Sequence, residues 1–272
     1  MRGSTARLLW TEDRIWACGL PGDIMEAGLL DKLDSLQAEL SRHRPFGPDL
    51  INQVRNYYRV GLVYTSNALE GITYTESETK VLIEDGLTAG GRPLKEAYAV
   101  VGHAEAYSHM FSLLAGETVT EKDILKFHSL LERGLENEAV AGKYRNVQSF
   151  ISGSKYPLTL PENIPAAMRA FIHFIESQRD SMHPVELAAK AHKELVFIHP
   201  FADGNGRVSR LVMNTLLIQR GYLPAIIPPI LRSDYIAALE KAHEDDSDFL
   251  TFIVEREIET QKEMLRLLGG KL

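Results

Sequence analysis

The chain has 272 residues, 44% hydrophobic and 25% charged, a globular composition that excludes disordered, collagen-like and coiled-coil classes. Lys plus Arg number 30 against 37 Asp plus Glu, a net charge of −7, so the chain has no overall basic footprint for nucleic acid. The single cysteine, Cys18, excludes an intramolecular disulfide framework and a multi-cysteine zinc site, and fits a reducing compartment.

In chain order, residues 1–16 are broken by Arg7, Glu12, Asp13 and Arg14, unlike a signal peptide. Leu29, Leu33, Leu36 and Leu40 form one helical stripe, stopped by Pro45, Gly47 and Pro48. Asp49 is the expected cap of a second helix carrying Leu50, Val54, Tyr57, Tyr58 and Leu62 and ending near Gly71. A short helix follows over residues 76–84. A Gly/Pro-rich break at 88–93 precedes a long helix over 95–114. Thr120 to Asp123 resembles a capping box, and Ile124, Phe127, Leu130 and Leu131 follow in period.

Val147, Phe150 and Ile151, then Gly153-Ser154-Lys155, then Tyr156 and Leu158, predict a small hairpin. Helices resume over 164–176, 184–198, 205–219, 233–243 and 248–268. Apolar runs such as 224–231 are far too short for a bilayer. The expectation is a soluble, cytoplasmic, all-α protein with one hairpin and no membrane or nucleic-acid partner. At this length it leaves no room for a large DNA-binding or membrane domain.

The segment His199-Pro200-Phe201-Ala202-Asp203-Gly204-Asn205-Gly206-Arg207-Val208-Ser209-Arg210 carries the chemistry. Pro200 interrupts an apolar helix. Gly204 and Gly206 let the backbone curl and approach a ligand. Asn205 can cap the next helix, whose free amides and dipole suit an anion. Arg207 and Arg210, spaced i,i+3, share one face and can grip phosphate oxygens. Asp203 offers one hard oxygen for a nucleotide-bound Mg²⁺. His199 is the one group here that titrates near neutrality, which suits a general base. Together these describe phosphoryl or nucleotidyl transfer. The residues read equally as a Gly/Asn turn with solvated arginines. No P-loop sequence occurs.

The segment resembles the Fic family signature, H-P-F-x-[D/E]-G-N-G-R-x-x-R, and agrees at every fixed position. His192 and Ile198, Gly142-Lys143-Tyr144-Arg145 with the hairpin, and Arg232, Asp234, Tyr235, Ala238 and Leu239 extend the likeness over roughly residues 118–255. It implies a Fic-fold helical domain with a small β-hairpin flap, preceded by an N-terminal helical region. The corresponding division is 1–115, 118–255 as catalytic domain, and 256–272 as the end of the last helix.

The implied activity is transfer of AMP from ATP to a Ser, Thr or Tyr hydroxyl of a target protein. His199 is then the base, and Asp203 holds Mg²⁺ between the α- and β-phosphates. Gly204, Asn205 and Gly206 form the phosphate cradle. Arg207 and Arg210 contact the β- and γ-phosphates. Val147, Phe150 and Ile151 line the flap where the target docks as an added strand. Whether the chain forms a homodimer is left open.

Glu70 lies at a helix C-terminus, where the dipole disfavours an acid and a cation is wanted nearby. By itself it reads as a surface glutamate beside a lysine. Ser66-Asn67-Ala68-Leu69-Glu70-Gly71, however, resembles the family's inhibitory motif, [S/T]-x-x-x-E-[G/N]. The likeness implies autoinhibition through a Glu70–Arg210 ion pair, with Ser66 and Gly71 completing the motif. Two rival expectations are removal of AMP by hydrolysis, with Glu70 orienting water, and a toxin-like or adaptor module that only binds partners. His103, His109, His128, His173 and His192 are read as packing or surface residues, and Cys18 as buried.

Overall fold

The computed structural model describes residues 27–269, except 89, 115, 117 and 137. The expectations for Cys18 and for residues 1–16 lie outside these. The described residues form ten α-helices: α1 Ala27–Ser41, α2 Pro48–Leu69, α3 Glu76–Asp85, α4 Leu94–Ser112, α5 Glu121–Leu131, α6 Ile164–Gln178, α7 Pro184–Ile198, α8 Asn205–Gln219, α9 Arg232–Lys241 and α10 Ser247–Leu267. Among them no helix is long and apolar enough to cross a membrane.

The expected helices all form, with small differences at their ends. Asp49 is not the cap of α2. Gly47 holds that position in extended conformation, and Pro48 opens the helix because its fixed φ and missing N–H suit the first helical position. The Thr120–Asp123 capping box forms, and Thr75 with Glu78 makes a second one at α3.

Helix α8 is the centre of the molecule. It packs against α7, α5, α4 and α2. Val208, Leu211, Val212, Met213, Leu216 and Leu217 are buried around it, as expected of a helix enclosed on all sides. Burying each such side chain contributes about 1.5–3 kcal/mol, so the start of α8 is held rigidly. At α4 and α5 the approach is close enough that a Cβ on Gly102 would stand 2.4 Å from the Leu130 carbonyl oxygen.

The hairpin does not form, and among the described residues there is no strand. A turn does occur at Gly153, with φ +88° and Ser154 N–H donating to the Ile151 carbonyl at 3.2 Å. The flanking groups are engaged elsewhere. Arg145 takes the carbonyls of Val147 and Thr159. Ser154 Oγ and Lys155 N–H both donate to Glu240 Oε1 at 3.1 Å. Tyr156 donates to Glu244 and stacks on His243, which stacks in turn on Phe197. The segment is therefore strapped to α9 and to Arg145, with no ladder of its own.

Candidate active site

The site lies where α7 ends and α8 begins. His199 terminates α7 in the left-handed region, at φ 51°, the one non-glycine residue with positive φ among those described. Such a conformation is costly without a β-substituent-free residue and marks a position held by its surroundings. Here Arg145 supplies the hold. Its Nε donates to the His199 carbonyl at 2.8 Å, and its backbone N–H donates to the Pro200 carbonyl at 2.9 Å.

His199 Nδ1 lies 3.2 Å from the Val196 carbonyl. Only a protonated Nδ1 can donate to a carbonyl, so in the neutral ring Nε2 is the free acceptor. Burial lowers the His199 pKa below its ordinary value, and the Arg145 charge adds to the lowering against the Val196 bond. The lowered pKa favours the neutral imidazole, with Nε2 as its acceptor.

Asn205 does not cap α8. Gly204 takes that place at φ 75°, and Asn205 is the first helical residue. Its side chain accepts Phe201 N–H and donates to the Phe201 carbonyl, both at 2.9 Å. It pins the turn instead of capping the helix. Phe201 is also stacked on His128, with ring centroids 3.9 Å apart. The first α8 hydrogen bond runs from Val208 N–H to the Gly204 carbonyl, so the amides of residues 205, 206 and 207 precede it without intrahelical partners, an arrangement that suits an anion.

A carboxylate lies beside this helix start. A Cβ on Gly206 would stand 2.5 Å from Glu70 Oε1 and 3.1 Å from Arg210 Nη1. Arg210, 4% exposed, donates to Ser66 Oγ at 2.8 Å, to the Ser66 carbonyl at 3.0 Å and to Glu70 Oε1 at 2.6 Å. Burial would raise the Glu70 pKa, but Arg210, with Arg207 and Arg232, outweighs it and holds the carboxyl below its ordinary value. Arg232 also donates to the Leu69 carbonyl at 2.8 Å, fixing the end of α2. Gly71 follows at φ 87°. Ser66, Glu70, Gly206 and Arg210, distant in sequence, are thus brought together.

Arg207 is buried and turned toward Glu132 Oε1, at 3.1 Å. Its second neighbour is Asp203 Oδ2 at 3.6 Å. Glu132 was not singled out from sequence. It ends α5, and only the fold brings it under the motif. Asp203 has a side chain 64% exposed, and its Oδ1 accepts Gly204 N–H at 2.7 Å. No cluster of three or more His, Cys, Asp or Glu able to hold a metal occurs among the described residues. A Mg²⁺ arriving on phosphates takes only one or two carboxylates from a protein, and Asp203 offers one at the surface, so the donor set fits such an ion.

Val147 and Phe150 are exposed, at 61% and 86%, and Ile151 at 36%. They lie on the strapped segment beside the site. His103 and His192 are buried and bonded to Asn67 and Tyr235.

Residues 118–217 match the sequence profile of the Fic/DOC family. The chain is 34% identical over 233 residues to a protein adenylyltransferase Fic of Nematostella vectensis, covering 84% of this chain and 54% of that protein. It is 38% identical over 196 residues to a protein adenylyltransferase Fic of Drosophila grimshawi, covering 71% and 40%. The chain thus spans about half the length, or less, of these curated relatives. Among solved structures, Fic-1 (residues 134–508) of C. elegans superposes with a TM-score of 0.81 at 25% identity, covering 89% of this chain and 72% of that one. A Fic-domain signalling protein from Bacteroides thetaiotaomicron gives 0.75 at 26% identity, covering 90% and 98%.

Proposed function

From the premise that this chain belongs to the Fic/DOC family, we propose that it transfers AMP from ATP to a hydroxyl of a target protein and is held back by its own Glu70. The observation that carries the reading is His199, with Nδ1 against the Val196 carbonyl so that Nε2 is left as acceptor, immediately before the start of α8.

In this reading the acceptor oxygen attacks the α-phosphorus, and its proton passes to His199 Nε2. The bond from the α-phosphorus to the bridging oxygen breaks, and pyrophosphate leaves. Gly204, Asn205 and Gly206 let the phosphates approach the backbone. Arg207 faces the β-phosphate while braced by Glu132, and Arg210 takes the γ-phosphate. Asp203 would hold Mg²⁺, which when bound neutralises phosphate charge. Val147, Phe150 and Ile151 receive the target.

Glu70 opposes this arrangement by placing a carboxylate beside the start of α8 and occupying Arg210. The motif Ser66 contributes both its hydroxyl and its carbonyl to the same guanidinium. A second reading is favoured by the ionised, 39% exposed Glu70 side chain: it is placed to orient a water for removal of AMP.

The test is labelled ATP with Mg²⁺ and cell lysate, comparing the parent, Glu70→Gly, and Glu70→Gly with His199→Ala. Labelled protein, including self-modification, is expected in Glu70→Gly, with a loss of roughly 10²–10⁴ in rate when His199 is removed. Transfer that survives His199→Ala at the Glu70→Gly rate removes His199 as the base. Pre-labelled protein that loses AMP only when Glu70 is present supports the second reading.

A further inference from the structure

We propose that Arg145 is a positioning residue for the transfer step, coupling the segment that receives the target to the geometry of the base. The proposal rests on the reading of His199 as that base. Arg145 is 5% exposed and forms no ion pair with a carboxylate among the described residues. Its guanidinium instead serves three backbone carbonyls. Nε donates to His199 at 2.8 Å, Nη1 to Val147 at 3.0 Å, and Nη2 to Thr159. Its own N–H holds the Pro200 carbonyl at 2.9 Å.

A buried cation without a carboxylate partner is an expensive way to satisfy carbonyls. What a guanidinium offers is shape. Its N–H groups leave a rigid plane in several fixed directions, which neither an ammonium nor an amide can reproduce. Here one direction fixes the carbonyl of a residue in left-handed conformation, and the others fix the carbonyls at the two ends of the strapped segment. A target chain that loads residues 147–151 therefore acts on the same rigid group that orients His199. The second hold on this turn, the Asn205 amide on Phe201, does not reach the strapped segment. Arg145 hydrogen-bonds directly to both.

The uncompensated charge has its own consequence. The charged groups facing His199 are Arg145, Asp203 and Glu70. Burial lowers the His199 pKa first and Arg145 lowers it further, while Asp203 and Glu70 oppose it. Removing the Arg145 charge raises the His199 pKa, so the base becomes protonated at a higher pH, and the acid limb of the rate profile moves up.

The test uses the full chain carrying Glu70→Gly, with Arg145 intact, Arg145→Gln or Arg145→Lys, and His199→Ala as a separate control. Self-modification is followed against Mg-ATP concentration and pH, with melting shifts in Mg-ATP. Arg145→Gln is expected to lower kcat about 10–100-fold with KM for Mg-ATP within about twofold, since displacing a catalytic group by a fraction of its reach costs rate without costing nucleotide contacts. Its acid limb moves to higher pH. Arg145→Lys restores the position of the acid limb through its charge but leaves kcat low, because one ammonium cannot span the three carbonyls.

Parental kcat in Arg145→Gln, an unmoved acid limb, or an equal loss of kcat and of the Mg-ATP melting shift overturns the proposal. Should Arg145→Gln fail to melt cooperatively, Arg145→Lys decides: low kcat with a parental limb supports the proposal, and parental kcat overturns it. Failure of the base reading shows separately, as transfer that survives His199→Ala.

Discussion

Glu70→Gly removes one charge-assisted bond, at 2.6 Å, from an arginine that keeps two others to Ser66. Breaking a fully buried pair costs about 3–5 kcal/mol. The Glu70 side chain is 39% exposed, so water screens the pair and rehydrates part of what is lost. The nucleotide-free protein should lose about 1–2 kcal/mol, a value between exposed and buried pairs. For a chain of this size that is a fall of about 2–8 °C in Tm. Backbone strain adds nothing, because residue 70 sits at φ −92° and ψ 5°, open to glycine.

Mg-ATP should reverse the order. In the variant a γ-phosphate replaces the missing carboxylate, and ligand at about 100 times Kd adds about 2.7 kcal/mol. In the parent the phosphate must first displace Glu70, so its melting shift is smaller. The pH dependence has a fixed sign. The Glu70 carboxyl is held below its ordinary value, so its contribution is present above the unfolded carboxyl range and disappears as pH falls through the folded value. The Tm gap between parent and variant without nucleotide should persist at neutral pH and close in acid. Melting scans and labelled self-modification read both effects. Equal Mg-ATP shifts together with equal transfer in the two proteins would refute an inhibitory role for Glu70 and leave the site at residues 199–210 standing.

Asp203→Ala in the Glu70→Gly background should weaken Mg²⁺-dependent ATP binding by about tenfold; calorimetry showing the same ATP affinity with and without Asp203 would remove it from the metal role. Phe150→Ser should change stability by less than about 0.5 kcal/mol, because the ring is 86% exposed. It should lower modification of targets in trans while sparing the Mg-ATP melting shift, and equal loss of both would assign the segment to the nucleotide pocket. Glu257 is buried and pushed up to about 8 by desolvation, while it accepts Leu223 N–H at 2.9 Å. A raised carboxyl binds its proton more tightly in the fold than when unfolded, so its contribution to stability falls as pH rises from the ordinary carboxyl range toward the folded value. Glu257→Gln keeps the acceptor and abolishes this loss, so its Tm advantage over the parent should be larger near pH 8 than near pH 5; an advantage independent of pH would show that Glu257 is not protonated in the fold.

The chemistry was readable because it is built from backbone. A left-handed histidine, a glycine cap and free first-turn amides must be contiguous, so the site is compressed into residues 199–210 and survives as a sequence pattern. What braces it is tertiary. Arg145 acts across 54 residues on His199, Glu132 across 75 on Arg207, and Ser66 across 144 on Arg210. Arg145 and Ser66 were marked only by their likeness to family motifs, and nothing in period or spacing marked Glu132. Glu70 was legible only through its motif, because periodicity alone leaves a lone acid at a helix end.

The hairpin failed for the same reason. Alternating apolar residues around Gly153 satisfy the local rule, and the turn forms, but a ladder needs free carbonyls on both arms. Arg145 had already taken those of Val147 and Thr159. Asn205 misled in the opposite sense. Its type and position fit a cap, yet Gly204 in left-handed conformation starts the helix and releases the amide to hold Phe201. In both cases a polar side chain spends its hydrogen bonds on irregular backbone, at the expense of the regular element expected there. The irregular backbone around His199 is what that exchange secures, and it leaves the first amides of α8 without helical partners, with the carboxylate of Glu70 beside Gly206.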